Sequence, residues 1–401
     1  MKRVKGGITA VPGILAAGVA AGIKKAHIPD LALIVSEEPA VIAGVLTRNK
    51  VVAAPVVLSR SRLRAGLARA IVANSGNANA CTGRKGMDDA RETTSLVAQL
   101  LECPTQQVFI GSTGVIGKPL PMERIRVAIP GLVAKLSRQG GTDSARAIMT
   151  TDTKIKMTAA TDRIAGRQIT LGGIAKGSGM IHPDMATMLC YLATDARISK
   201  AMLQRALGLA TEESFNRIPL DGDTSTNDMV LCLANGVAGN RPFAVGSPDA
   251  GRFQNLLNQV CQDLAKMIAR DGEGATKFVE LRVTGARSHA DAIRVANTIA
   301  TSSLVKTAWF GEDSNWGRIM AAIGRAGVSI MERRIAISYG NVPVVRSGIS
   351  LGPAAERRAN DVLKKAEFTL TVSLGQGRES ATVWTSDLSL DYVKINACYR
   401  S

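Results

Sequence analysis

The sequence is poor in several groups that would announce a chemistry. It holds only three histidines, His27, His182 and His289, so a multi-histidine metal centre would need nearly all of them from distant places, and no metal is expected. Aromatic residues are equally sparse, with 7 Phe, 3 Trp and 4 Tyr, and they are scattered rather than interleaved with Arg and Lys. Readers of single-stranded nucleic acid stack bases on aromatic platforms, which this composition does not supply. The six cysteines, Cys81, Cys103, Cys190, Cys232, Cys261 and Cys398, form no CxxC pair. Their wide, irregular spacing fits neither a disulfide framework nor a structural zinc site.

A long apolar run is missing as well. Met1 to Lys5 followed by Ile8 to Ile23 superficially copies a secretory leader, but Pro12 and the glycines at 6, 7, 13, 18 and 22 interrupt it. Lys24 and Lys25 then end the stretch well short of the roughly 20 residues a membrane span needs. The expectation is a cytoplasmic protein with no membrane partner.

What is present is an ordinary globular composition, 46% hydrophobic and 21% charged over 401 residues. Such a length favours two cores over one. The net charge of +17 suits nucleic acid, an anionic surface or acidic small molecules without choosing among them. Helix-period and strand-period segments alternate, so a layered α/β (α+β) architecture is expected. Apolar positions from Leu256 to Ile268 recur at three and four, predicting a helix over 253–270. Further helices are expected near 88–101, 198–214 and 354–366, and strands at 107–110, 168–171, 188–194, 229–234, 278–284 and 369–374.

The stretch from Gly172 to Leu189 breaks the alternation and reads as a glycine-rich loop entering a buried strand at Thr187. Three chemistries compete around it. Gly111-Ser112-Thr113-Gly114-Val115-Ile116-Gly117-Lys118 follows a strand and looks like a P-loop, but five residues separate the outer glycines and Pro119 stands where Ser or Thr is required. The same turn could instead expose backbone N–H groups to a developing oxyanion. Ser178 lies four residues before His182, yet the sequence has no GxSxG elbow.

The third chemistry makes Thr187 a nucleophile. A threonine hydroxyl needs an adjacent base, and a threonine at a chain terminus has one in its own α-amine, whose reference pKa of about 7.7–8.0 suits that duty. Thr187 is internal, so this route requires cleavage of the Ala186–Thr187 bond. A small residue precedes it, and a glycine-rich approach is available to hold a strained peptide.

At these residues the sequence resembles the ornithine acetyltransferase family of arginine biosynthesis, also called the bifunctional glutamate N-acetyltransferase family. The resemblance spans essentially the whole chain, through Asn74–Ala80, Gly111–Gly117, Thr150-Thr151-Asp152-Thr153, Lys176–Leu189, Asp221–Asp228, Asp271–Thr276 and Asn315-Trp316-Gly317-Arg318. It implies a two-sheet sandwich flanked by helices, similar to but distinct from the N-terminal nucleophile hydrolases. It also implies self-cleavage at Ala186–Thr187 into an α chain, residues 1–186, and a β chain, residues 187–401, with two of each in the working enzyme.

The implied reaction is ping-pong. Thr187 takes the acetyl group of N-acetylornithine, releases ornithine and passes the acetyl group to glutamate. Thr113 and Gly114 match the family's oxyanion pair, and Thr150, Lys176, Thr187, Glu273, Asn396 and Ser401 match its substrate-binding positions. Lys176 is expected to meet an α-carboxylate and Glu273 the ornithine ammonium. Among Thr150, Thr151 and Thr153 the register stays open. No cofactor is required, and whether acetyl-CoA serves as a second donor is not written in the sequence. Two other readings stand beside this one: a basic nucleic-acid-associated protein without catalysis, and a self-processing amidohydrolase or aminopeptidase.

Overall fold

The computed structural model describes residues 1–25, 27–182 and 188–398. The expected cleavage residues Ala186 and Thr187, and the expected substrate-binding Ser401, lie outside the described residues. Among the described residues fifteen strands form two mixed sheets, both flanked by helices.

The first sheet contains β1 (Lys2–Val4), β2 (Ile14–Val19), β3 (Leu31–Leu46), β4 (Leu67–Asn77), β5 (Val108–Val115), β6 (Lys156–Ile164), β7 (Arg167–Lys176), β8 (Leu189–Thr194) and β9 (Met229–Ala234). Their order is β1-β6-β7-β8-β9-β3-β4-β5, with β2 also on β3. The second sheet contains β10 (Phe278–Ala286), β11 (Ala336–Tyr339), β12 (Val342–Arg346), β13 (Ile349–Ser350), β14 (Glu367–Ser373) and β15 (Glu379–Ser386), in the order β13-β12-β11-β14-β10-β15.

Strand β3 organises the first sheet. Its first half pairs with β2 and its second half with β9, while β4 pairs with both, the β3–β4 register shifting between Val35 and Ala40. Side chains of both halves share one core, in which Ile34, Ile71 and Phe109 pack with Tyr191, Leu231 and Ile174. Both faces of β8 and β9 are buried, as their unbroken apolar sequences require. Cys190, Leu192 and Val230 face the helices Lys200–Glu212 and Pro248–Arg270, while Tyr191 and Leu231 face inward.

Most expected elements are found with displaced ends. The helix expected over 253–270 starts earlier, at Pro248, because Ser247 caps it by accepting from Ala250 N at 3.2 Å and Pro248 occupies its first turn. The loop expected from Gly172 is strand as far as Lys176, and the strand expected to stop at 110 continues to Val115. Glycine misled both readings, since these glycines serve close packing rather than turns. A Cβ on Gly172 would meet Gly7 O at 2.1 Å, one on Gly173 would meet Leu192 Cδ2 at 2.4 Å, and one on Gly111 would meet Tyr191 Oη at 2.1 Å. Among the described residues no helix is long and apolar enough to cross a membrane.

Candidate active site

One end of the first sheet gathers the chemistry. Lys176 closes β7 opposite Leu189 at the start of β8, and Leu189 in turn pairs with Met229 at the start of β9. The 177–188 connection that carries the Ala186–Thr187 bond therefore leaves the sheet at the end of β7 and re-enters it at the start of β8. Its described flanks are anchored. Met180 and Ile181 donate their backbone N–H groups to Asp221 at 2.5 and 2.7 Å, and Met188 N donates to Asp228 Oδ1 at 2.8 Å.

A cleft enclosing about 570 Å³, open mouth included, lies at this end. Thr113 and Gly114 line one wall, Thr150, Thr151 and Lys176 another, and Glu273 and Asn396 its rim. These residues are separated by up to 283 positions in sequence, Thr113 to Asn396, and only the fold brings them together. Of the residues expected from the sequence, all that lie within the described part of the chain line this cleft.

The Thr113-Gly114 turn is shaped by close backbone contact. Gly114 has φ +131°, and a Cβ there would come within 2.3 Å of Gly76 C, so no larger residue fits between β4 and β5. Asn227, in the segment before β9, donates from Nδ2 to Ser112 O at 2.8 Å and to Ala78 O at 2.7 Å. Fixing the Ser112 carbonyl fixes the peptide plane whose N–H belongs to Thr113. Such an edge of oriented, buried donors is suited to an oxyanion and has none of the phosphate-cradle spacing of a P-loop.

Thr153 stands apart from the other two threonines. Thr150 and Thr151 line the cleft, whereas Thr153 turns away and bonds Asp271 through both its backbone N–H, at 3.0 Å, and its hydroxyl. The Thr151 and Ser178 hydroxyls are 2.7 Å apart, so the Ser178 hydroxyl is already engaged within this wall.

Behind the cleft sits a buried charge cluster. Lys156 Nζ donates to Asp152 Oδ1 at 2.7 Å and to Asp271 Oδ2 at 2.5 Å, and Lys176 Nζ stands 4.0 Å from Asp152 Oδ2 and 3.4 Å from Thr113 Oγ1. Burial opposes ionisation of Asp152, but Lys176, Lys156 and the Gly177 amide outweigh it and hold the carboxyl well below the usual carboxylate range. Burial pushes the Lys176 ammonium down from its ordinary value, with Asp152 opposing that shift.

At the rim, Glu273 N donates to Ser178 O at 2.7 Å, and Asn396 Nδ2 donates to Glu273 Oε2 at 2.8 Å. A Cβ on Gly179 would fall 2.3 Å from that Oε2. Glycine there admits the carboxylate against the loop. Asn396 belongs to the helix Leu390–Cys398, which Ser389 ties to Gly274 O at 2.6 Å.

Sequence reading missed Asp152, Thr226 and Asn227 as residues of this site. Each stands in a short polar run, Thr150–Thr153 or Asp221–Asp228, set among apolar strands. A buried polar run of that kind needs partners somewhere in the fold, and that requirement was the available signal.

The cleft residues fall within the span over which the sequence matches the ArgJ family, residues 15–401. The arginine biosynthesis bifunctional protein ArgJ of Geobacter sulfurreducens is 54% identical over 391 residues, covering 98% of this chain and 100% of that one. Its counterpart in Symbiobacterium thermophilum is 50% identical over 405 residues, covering 100% of both. Among solved structures, the crystal structure of arginine biosynthesis bifunctional protein argJ from Bacillus halodurans matches at 46% identity and a TM-score of 0.50, covering 51% of this chain and 96% of that one. With relatives alike from end to end and the family's span enclosing the whole cleft, this chain belongs to the ArgJ family.

Proposed function

We propose that this chain is a glutamate N-acetyltransferase that cleaves itself at Ala186–Thr187 and then moves an acetyl group from N-acetylornithine to glutamate through an acetyl-threonine enzyme. The observation that carries this reading is the convergence of Thr113, Gly114, Thr150, Lys176, Glu273 and Asn396 on one cleft, at the connection that holds the Ala186–Thr187 bond. The half-length match to a crystallised relative, 51% of this chain against 96% of that one, supports division into an α chain, 1–186, and a β chain, 187–401. Two copies of each form the assembly. The single core shared by side chains of both halves of β3 supports a two-layer sandwich similar to, yet distinct from, the N-terminal nucleophile hydrolases.

The chemistry follows from the arrangement. Cleavage frees the Thr187 α-amine, which accepts the Thr187 hydroxyl proton as the oxygen attacks the acetyl carbonyl. Thr113 and Gly114 donate to the oxyanion, with the Lys176 charge beside them. The tetrahedral intermediate collapses, the same proton passes to the departing amine, and ornithine leaves. Glutamate then repeats the steps in reverse, its amine attacking the Thr187 ester. Glu273, held by Asn396, receives the ornithine side-chain ammonium, and Thr150 and Ser401 complete the grip on the amino acid. The +17 charge draws anionic glutamate toward the cleft.

N-terminal sequencing of purified protein tests the reading. Two fragments are expected, one beginning at Thr187, together with acetyl transfer from N-acetylornithine to glutamate. Thr187→Ala is expected to stay in one piece and to lose activity by at least about a thousandfold. An active, uncut Thr187→Ala enzyme would remove the mechanism.

A further inference from the structure

Four charged side chains, Lys176 in the cleft wall and Asp152, Asp271 and Lys156 behind it, form one cluster, all more than nine-tenths buried. Two anions and two cations balance, and removing either kind leaves a buried charge without its counter-ion. Asp152 is the member on which the cleft walls meet. Its Oδ2 accepts from Thr150 N at 2.9 Å, its Oδ1 accepts from Gly177 N at 2.7 Å and from Lys156 Nζ at 2.7 Å, and Lys176 Nζ lies 4.0 Å away. Asp152 itself is not among the residues that line the cleft.

We propose that Asp152 is a positioning residue for acetyl transfer: it holds the Lys176 ammonium, charged, against Thr113, and fixes the backbone of Thr150 and Gly177, without touching substrate. This inference rests on the function proposed above. A hydroxyl that accepts from an ammonium has its own hydrogen turned away from that ammonium. The 3.4 Å contact from Lys176 Nζ to Thr113 Oγ1 therefore leaves the Thr113 hydroxyl free to donate into the cleft, and a hydroxyl polarised in this way is a stronger donor. Lys176 reaches that place only if it stays protonated in a buried site. The groups facing it are Asp152, Glu273 and Asp228 on the anionic side and Lys156 and Lys24 on the cationic side. Asp152 heads the anionic group, and Lys176 with Lys156 keeps Asp152 ionised.

The sign of the pH effect follows. Lys176 is charged below its pKa, so activity that needs the ammonium is lost as pH rises through it. With Asp152→Asn the ammonium loses its main counter-charge, and the loss comes at lower pH.

The test compares acetyl transfer from N-acetylornithine to glutamate by wild type, Asp152→Asn, Lys176→Met and the double variant, each first shown by mass spectrometry to be cleaved. Asp152→Asn is expected to lower kcat ~100-fold near pH 8, with the alkaline limb of kcat/KM moved down by about one pH unit. In the Lys176→Met background the same change should cost no more than about threefold, because the two residues act as one unit. An unshifted alkaline limb, or an undiminished effect in that background, overturns the proposal. If Asp152→Asn does not accumulate as folded, cleaved enzyme, Asp152→Glu carries the test, since it keeps the charge and displaces it by one methylene. Reduced kcat with the alkaline limb at its wild-type pH supports the proposal; a displaced limb or wild-type kcat overturns it. Failure of the wild type itself to transfer acetyl counts against the function and not against Asp152, which is judged only on the ratio of variant to wild type.

Discussion

The two sheets differ in how much polarity they bury. Around the end of the first sheet, Asn74, Asn77, Asn79, Ser112, Asp152, Lys156, Lys176 and Asn227 are all buried and bonded to one another or to backbone. The core of the second sheet is mainly apolar, with Trp309 edge-on to Phe368 at 6.2 Å and Tyr339 6.0 Å from the same ring, amid Leu281, Val283, Ile337 and Leu370, and its buried Lys306, Thr385 and Ser386 gather at the end of β15. Burying polar groups is costly unless every one finds a partner. The first sheet bears that cost where the cleft needs oriented donors, and the second supplies cohesion. The second also delivers the rim, because Asp387 Oδ1, just after β15, accepts from Thr276 N and Lys277 N at 2.9 Å each and so pins the Glu273 turn beside the tail helix that carries Asn396.

If that division is right, damage to the second sheet should cost stability and damage to the first should cost turnover. The largest expected effect is on Trp309, which is fully buried. Trp309→Ala should destabilise the protein by about 3–5 kcal/mol while the kcat of the folded fraction, measured below the unfolding transition, stays near wild type. A collapse of kcat in folded enzyme would show that the second sheet also shapes the cleft.

Next comes Thr113→Ala, expected to lower kcat by about 100- to 1,000-fold, or roughly 2.7–4 kcal/mol of barrier, with little change in Tm. Loss of Tm with preserved kcat would make Thr113 a packing residue and erase the contrast between the sheets.

The smallest effect concerns Asp221, which clamps the flank of the 177–188 connection. Burial lifts its carboxyl to about 6 against the amides of Ile181 and Met180. The folded state then holds a proton that the unfolded state has already released, so this group's contribution to stability falls as pH rises from about 4 to about 6. Asp221→Asn should remove a slope of about 1–2 kcal/mol across that window, read from urea unfolding at pH 4.5 and 6.5. Parallel slopes in variant and wild type would place the titration elsewhere.

Much of this architecture was legible beforehand. The helix over Pro248–Arg270 and the strands β8, β9, β10 and β14 follow from periodicity and from apolar runs. The Thr113-Gly114 turn was already an oxyanion candidate from its glycine pattern, and the rim glutamate was reached through motif resemblance. Strands β3 and β4 were not found, although a register shift of the first sheet lies between them. Their alanines and glycines blur the strand pattern, and a residue such as Gly44, whose added Cβ would meet Leu63 Cδ1 at 2.8 Å, reads locally as a breaker when its role is to let a neighbour approach.

By itself the sequence determined which segments alternate as strand or helix, where a hydroxyl residue follows a glycine-rich approach, and which family the chain resembles, because side-chain order along a few turns or residues encodes all three. Only the tertiary structure decided that Thr153 serves Asp271 across 118 positions while Thr150 and Thr151 face the cleft, that glycines in β5 and β7 admit neighbours, and that Asp152 joins the walls. A buried charge or amide is specified by its partner, and here the partners lie far away along the chain.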